Sequence, residues 1–407
     1  MNATTYNVTT YDATTYDATT YGVTQERDWN ALSDEEFRAI VANEFETHHP
    51  RHLRFSPRRL RWSENKDWYL RMATKGWIAP GWPREFGGMG LSPSKMLIFL
   101  EEQERCGIAR FQDHGILMVG PVLMRFGSEA QRLRYLPPIL ACEEIWAQGY
   151  SEPNAGSDLA GLRTEARLEG EEFIINGQKT WTTLAQDATH IFVLARTDKN
   201  AKKQQGISFL LADIKAPGVS VRPIRDIAGH EEFCEVFLDN VRTPASNLVG
   251  ELNQGWTVAK SLLGFERIHI GSPKLPEYGL QVLQLVARER GLLRDPVFRD
   301  RLARVQLDVA HLGDLYGHFA AIVGRGESLG PEVSLLKIWA TETFQRIADL
   351  IIETAGDCGG HAGEVRIGAS SIDLLAPFYK ARPSTIYGGS NEIQRNILAR
   401  QVLNLPS

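Results

Sequence analysis

The sequence lacks most of what marks a secreted, membrane-spanning or nucleic-acid-binding chain. It holds 4 cysteines in 407 residues, Cys106, Cys142, Cys234 and Cys358, scattered and with no C-x-x-C pair. That distribution favours reduced, mostly structural thiols over disulfides or a zinc site. No run approaches the ~18 apolar residues of a membrane span. The N-terminus has neither a basic n-region nor an apolar h-region, so no secretory signal is read and a cytoplasmic protein is expected. The net charge of −5 argues against a nucleic-acid partner. Helical and strand patterns never alternate as βαβ units, which argues against a Rossmann domain and nicotinamide binding by that route.

What is present is a globular composition, 43% hydrophobic and 23% charged, long enough for two or three domains. One basic cluster stands out: Arg51, Arg54, Arg58, Arg59 and Arg61. A solvated surface or subunit contact explains it, with the phosphates of a CoA-like ligand as the alternative. Residues 4–23 are four tandem units, TTYNV, TTYDA, TTYDA and TTYGV, too short in period for a solenoid and too poor in aliphatics for a core. They read as a flexible tail over 1–27 with no part in chemistry.

From 28 to 146 the periodicity is helical. Ser33-Asp34-Glu35-Glu36 is a capping box ahead of Phe37, Ile40, Val41 and Phe45. Ser92-Pro93 opens another helix that carries Met96, Leu97, Phe99 and Leu100 inward and stops at Gly107. Over 147–250 the period becomes two, with strands expected at Arg163–Leu168, Glu172–Ile175, His190–Ala195, Ile207–Ala212, Val219–Ile224 and Glu235–Leu238. Turns are expected at Glu169-Gly170 and Asn176-Gly177, giving an antiparallel barrel or sandwich. Residues 251–407 read as helical to the end.

Three stretches carry chemistry. Ser151-Glu152-Pro153-Asn154-Ala155-Gly156-Ser157-Asp158 is built of small residues, turn formers and hydroxyls, suited to close backbone approach to a polar ligand. Lys179-Thr180-Trp181-Thr182-Thr183 places a large flat ring between hydroxyls, suited to a planar ligand. Tyr387-Gly388-Gly389-Ser390-Asn391 opens a helix with free backbone N–H groups, suited to an anion. Their order, with Pro83-Arg84-Glu85-Phe86-Gly87-Gly88-Met89-Gly90 upstream, resembles the signatures of the acyl-CoA dehydrogenase family over residues 28–403.

That resemblance implies an α+β fold: an N-terminal α-helical domain, a middle β domain and a C-terminal helical bundle. It implies FAD, with Ser151 and Thr183 as hydroxyls at the ring, Trp181 as ring neighbour, Ser157 at the pyrophosphate and Ser390 holding the cofactor at the C-terminal signature. It implies removal of the pro-R α-proton of an acyl-CoA or acyl-carrier thioester while the β-hydride goes to flavin N5, giving a trans-2-enoyl thioester. An acceptor like electron-transfer flavoprotein and a dimer or tetramer, homomeric or heteromeric, would complete the system.

The base is a departure. Many members place a glutamate right after the tyrosine, where this chain has Gly388. Glycine cannot take a proton, though its N–H can still serve the thioester oxygen. The isovaleryl- and long-chain-type members carry the base on the first helix after the β domain, here Ser261-Leu262-Leu263-Gly264-Phe265-Glu266-Arg267-Ile268-His269-Ile270. The surrounding apolar residues would raise the pKa of Glu266 and make it the candidate base, with a structural ion pair as the alternative. Arg267 matches an arginine beside the base that orders the site, or forms a surface salt bridge.

Two further departures concern the subunit interface. Arg288-Glu289-Arg290-Gly291 keeps an arginine, best matched by Arg290, without the family's Phe-Gly. Glu353-Thr354-Ala355-Gly356-Asp357-Cys358-Gly359 stands where a Q-x-x-G-G-x-G segment is donated across the interface. Glutamate repels a pyrophosphate where glutamine would not. A heteromeric or asymmetric assembly, with this chain even as its non-catalytic subunit, is therefore one alternative; a flavin oxidase or monooxygenase on the same fold is another. The Trp181–Gln186 block together with Gly264-Phe265-Glu266-Arg267 looks most like bacterial members acting on dicarboxylate, aromatic or steroid-type acyl-CoAs.

Overall fold

The computed structural model describes residues 27–56, 58–108, 114–262, 270–325, 327 and 329–406. The repeat segment 4–23 lies outside them. The N-terminal helices are α1 (Asp34–His48), α2 (Trp62–Thr74), α3 (Pro93–Arg105), α4 (Gly120–Phe126) and α5 (Glu129–Leu140). Their starts follow the sequence. Ser33 caps α1 in a reciprocal capping box with Glu36, and Ser92 caps α3 with Pro93 in its first turn. Phe37, Val41 and Phe45 are buried on one face of α1, against Phe99 of α3 and Trp68 of α2.

Eight strands follow: β1 (Trp146–Gly149), β2 (Glu165–Glu169), β3 (Glu172–Thr183), β4 (His190–Arg196), β5 (Ile207–Asp213), β6 (Val219–Ile224), β7 (Phe233–Pro244) and β8 (Leu248–Val249). They form one sheet in the order β6-β7-β3-β2-β4-β5-β8, with β1 on β4. The sheet is antiparallel-rich, but β1 and β2 both pair with β4 in parallel. Both faces are covered. Phe192 and Leu194 of β4 and Phe209 and Leu211 of β5 join the core of the N-terminal helices, while Ile191, Val193, Leu210 and Ala212 face the other way with Ile175, Val236 and Val241. The period-two alternation thus sorts side chains between two cores rather than between core and water.

The turn expected at Glu169-Gly170 is present, joining β2 to β3 with Gly170 at φ +63. The one expected at Asn176-Gly177 is not a turn. β3 runs through it for 12 residues, and the register against β7 shifts between Ile175 and Gly177. The glycine is a bulge: a Cβ there would sit 2.4 Å from Thr164 Oγ1 and 2.7 Å from its Cα. Asn176 accepts a hydrogen bond from the Asn240 N–H at 2.8 Å across the same bulge. A hairpin signal and a bulge signal use the same residues, and only the distant Thr164 distinguishes them.

The C-terminal part holds α6 (Gly255–Leu262), α7 (Lys274–Glu289), α8 (Pro296–Gly324) and α9 (Ser334–Ala355), then a hairpin β9 (Glu364–Ile367) and β10 (Ser370–Asp373), then α10 (Leu375–Ala381) and α11 (Asn391–Ile397). The reading of this part as helical throughout misses that hairpin, which turns at Gly368 with φ +59. Val282, Leu283 and Val286 of α7 pack with Ile347, Leu350 and Ile351 of α9.

The arginine cluster is largely structural. Arg61 grips Asp187 through Nε at 2.7 Å and NH2 at 2.6 Å, and the Trp62 N–H donates to the same carboxylate. Arg59 pairs with Glu232, Arg58 with Glu64, and Arg54 donates to the carbonyls of Phe45, Glu46 and His49. Asp187 and Glu232 belong to the sheet region, so two of these arginines fasten the helices to it. Cys106, Cys142 and Cys234 are buried free thiols and Cys358 is exposed. Among the described residues no helix is long and apolar enough to cross a membrane.

Two buried histidines make the fold acid-sensitive. His49, packed edge-on against Trp68, has no hydrogen-bond partner for either ring nitrogen among the described residues, and burial pushes it to about 4, with Arg54 adding repulsion. His114 is likewise pushed to about 4 by burial, helped by Arg59. Both stay neutral in the folded state while the unfolded chain protonates near pH ~6.5, so stability is full above that value and falls as pH drops toward 4. Each accounts for up to about 2–3 kcal/mol at the end of that window. Urea midpoints should decline steadily from pH 6.5 to 5, and His49→Phe should flatten the decline; an unchanged slope in the variant would contradict this account.

Candidate active site

The stretch from Tyr150 to Thr183 is organised by one buried ion pair. Lys179, on β3, is fully buried and donates to Glu152 Oε1 at 2.9 Å, Leu194 O at 2.8 Å and Tyr150 O at 3.1 Å. Glu152 also accepts from the N–H groups of Arg163 at 2.7 Å and Thr164 at 2.8 Å. The three donors of the ammonium and both carboxylate oxygens are thereby used, which is what makes a buried pair tolerable. Burial pushes Lys179 down to about 8 while Glu152 opposes it, and the neighbouring ammonium holds Glu152 below the usual carboxylate range against its own desolvation. No residue next to it in the chain marks this lysine as internal.

The pair fixes Ser151 and the turn after it. Glu152 and Ala155 exchange backbone hydrogen bonds, and Ser151 O accepts from the Thr180 N–H at 2.9 Å. At Thr180-Trp181 the β3–β7 register shifts again, and Trp181 takes φ +60. A bulky residue reaches that conformation only where its surroundings impose it, and bulges serve to re-aim a side chain. Trp181 is turned outward, 59% exposed, with its edge on Phe233 at 6.0 Å. The hydroxyls of Ser151, Ser157 and Thr183 make no hydrogen bond among the described residues. A flat exposed ring flanked by unpaired hydroxyls on a rigid bed is a fit for a planar polar ligand.

The C-terminal turn has complementary features. Gly388 and Gly389 have φ +64 and +77, and Gln394 Nε2 donates to both their carbonyls, at 3.1 Å and 3.3 Å. The Gly388 N–H has no acceptor among the described residues. Ser390 caps α11, accepting from Ile393 N–H at 3.4 Å. Beneath it the fully buried Lys337 donates to Asn391 Oδ1 at 2.8 Å, and Asn391 donates to Thr341 and Glu342, so the turn is anchored to α9. Desolvation pushes the Tyr387 phenol up although the residue is 39% exposed, and Arg59 and Glu232 act on it and on Lys380 alike. Charges of the N-terminal and sheet parts therefore reach the C-terminal turn.

Arg290 and Gly356 are also brought together. Arg290 caps α7 and donates to Ala355 O at 2.7 Å, and a Cβ on Gly356 would lie 2.9 Å from its NH2. Glu353, the departure from glutamine, pairs with Arg301, so its charge is compensated within the chain. Glu266 and Arg267 lie outside the described residues.

Three family models match in order: the N-terminal domain of acyl-CoA dehydrogenase over residues 32–143, the middle domain over 147–241 and the C-terminal domain over 253–403. The acyl-CoA dehydrogenase IpdE1 of Mycobacterium tuberculosis is 38% identical over 347 residues, 84% of this chain and 88% of that one. The acyl-CoA dehydrogenase FadE29 of the same organism is 34% identical over 83% of this chain and 87% of its own. Among solved structures, the Tcur3481-Tcur3483 steroid ACAD superposes with a TM-score of 0.82 at 31% identity, covering 92% of this chain and 97% of that one. The ChsE4-ChsE5 complex from Mycobacterium tuberculosis gives 0.81 at 31% identity, with the same coverage. This chain belongs to the acyl-CoA dehydrogenase family. It is an oxidoreductase acting on acyl-CoA, and its cofactor is FAD, as in the family. The free hydroxyls and outward indole of the platform fit that cofactor.

Removing the internal cation should expose how much the platform depends on it. Lys179→Met leaves Glu152 buried and uncompensated, so the unfolding free energy should fall by about 3 kcal/mol. FAD should dissociate more readily on dilution, followed by flavin fluorescence. A change below about 0.5 kcal/mol with unaltered FAD retention would refute the role given to the pair.

Proposed function

We propose that the chain catalyses α,β-dehydrogenation of an acyl-CoA to a trans-2-enoyl thioester, with Glu266 as the base. The observation that carries the reading is the platform: Ser151 and Thr183 offer hydroxyls unpaired among the described residues, beside a tryptophan that a bulge turns outward. When bound there, FAD supplies the acceptor for the β-hydride. Ser151 and Thr183 hydrogen-bond the ring, Trp181 covers it, Ser157 holds the pyrophosphate and Ser390 steadies the cofactor from the C-terminal turn. Thr183 would donate to the ring where charge develops, and a fixed donor there favours the transition state.

The chain's own groups then handle the substrate. The N–H of Gly388, which has no acceptor among the described residues, would donate to the thioester oxygen and stabilise its enolate-like charge. Glu266 takes the α-proton, and Arg267 orders the site beside it. Ile270, the first described residue after the segment carrying Glu266, lies against Gly388, which supports bringing base and donor to one place. The electron acceptor is a protein like electron-transfer flavoprotein. Ring-bearing acyl-CoAs of the steroid type are the substrate class, by likeness to the steroid ACAD.

A second reading is favoured by the Tcur3481-Tcur3483 and ChsE4-ChsE5 neighbours, both pairs of distinct chains. In it the Arg290–Gly356 turn meets a different chain across the interface, and Glu353 marks a side of the assembly where this chain does not hold the neighbour's pyrophosphate. Purification of the chain alone decides between them: a yellow, active preparation supports the self-sufficient enzyme, and a colourless one supports the paired assembly. For the base, Glu266→Gln should retain FAD and lose turnover at least about a hundredfold on a ring-bearing acyl-CoA. Near-normal turnover would sink the assignment of the base.

A further inference from the structure

A cavity of about 290 Å³ lies where the Glu152–Ala155 turn, the segment from Gly161 to Thr164 and the bulge at Gly177 come together. Ser151, Ser157, Trp181 and Thr183, assigned above to the cofactor, are not among its lining residues. Ligand sites commonly span about 300–1,000 Å³, so this one suits a single small ligand. Its donors are uncommitted. Thr164 is 2% exposed, and its Oγ1 is buried with no hydrogen-bond partner. Such an orphaned hydroxyl is costly and rare in a folded chain. A Cβ at Gly177 would lie 2.4 Å from that oxygen, so only glycine leaves it facing the cavity. The guanidinium of Arg163 and the amide of Asn154, on exposed lining residues, have no partner among the described residues.

The charge around the cavity favours an anion. Glu152 lines it, but Lys179 and the N–H groups of Arg163 and Thr164 already occupy both its oxygens. Asp158, beside Gly161, is matched by Lys203. Arg196 donates only to the carbonyls of Ala160, Lys203 and Gln205 and meets no carboxylate among the described residues. With Arg163 also unmatched, the local balance is positive.

We propose that this cavity binds a small phosphate-bearing ligand through the Arg163 guanidinium, the Thr164 hydroxyl and the Asn154 amide. A flat carboxylate is filled by a guanidinium fork alone, whereas a phosphate has three terminal oxygens for donors arriving from several sides. The ligand would also brace the turn that carries Ser151, because the backbone N–H groups of Arg163 and Thr164 hold Glu152. The phosphate has two possible sources, a free phosphate ester or the CoA part of the substrate.

The test uses the FAD-loaded protein and inorganic phosphate, with chloride at matched ionic strength as the control. Calorimetry should show saturable phosphate binding that Arg163→Gln weakens at least about tenfold and Thr164→Val at least about fivefold. Without phosphate, Thr164→Val should melt no lower than the parent, since the hydroxyl it removes is unpaired. With phosphate, the parent should gain melting temperature and Thr164→Val should gain little. Absence of saturable binding, or equal affinity in parent and variants, overturns the proposal. So does a phosphate-free drop above about 2 °C in Thr164→Val, which would mean that the hydroxyl is already bonded. Binding seen only in protein depleted of FAD overturns it too, because the cavity then belongs to the cofactor's pyrophosphate. Displacement of the phosphate by CoA but not by pantetheine upholds the site and assigns its ligand to the substrate. Binding that CoA leaves unchanged upholds it as the seat of a separate phosphate ester.

Discussion

The buried pair of Lys179 and Glu152 is the constraint on which the rest of the site depends. An ammonium with no exposure to water is tolerable only if every proton finds an acceptor, and here the acceptors come from two separate stretches: Tyr150 and Glu152 on either side of Ser151, and Leu194 of β4. Satisfying one lysine therefore fixes the mutual placement of the Ser151 segment, the end of β3 and the strand beside them. The outward Trp181 follows two residues later, because a strand anchored at Lys179 and paired again at Thr182 must bulge between them. The platform proposed for the cofactor is thus held by electrostatics behind it rather than by packing in front.

The same division of labour holds at the C-terminal turn. Gln394 and Lys337 hold Gly388, Gly389 and Asn391 from behind, and the surface left facing outward is backbone. Between these two fixed surfaces the chain uses arginines as fasteners. Arg61 on Asp187 and Arg59 on Glu232 tie the helical N-terminal part to the loops that flank Trp181 and Phe233. The cluster that resembles a phosphate site is mostly spent on holding the helical and sheet parts together.

Much of this was legible in the sequence and some was not, for identifiable reasons. Helix starts at Ser33 and Ser92 are local events, written in three or four consecutive residues, and the structure reproduces them. Val219–Ile224 was read to the residue, because alternation alone defines it. Asn176-Gly177 was misread because its local chemistry suits both a hairpin and a bulge, and the deciding neighbour, Thr164, is far back in the chain. Lys179 was read only as a flank of Trp181, since nothing nearby signals that a strand lysine has internal acceptors. The partners of Arg59 and Arg61 were invisible for the same reason, each lying more than a hundred residues away. The hairpin at Glu364–Asp373 was overlooked in a stretch dominated by helical periodicity.

The parallel placement of β1 and β2 on β4 has a consequence for how the chain acquires its cofactor. Antiparallel neighbours can zip from a short turn, but parallel ones wait for a long excursion of chain to return, at the entropic cost of closing a large loop. Lys179 gains its last acceptor, Leu194 O, only when β4 has docked. No nascent piece ending before Arg196 can therefore present the finished platform. With the flavin seated on this platform, as proposed, its capture belongs to the late, non-local phase of folding.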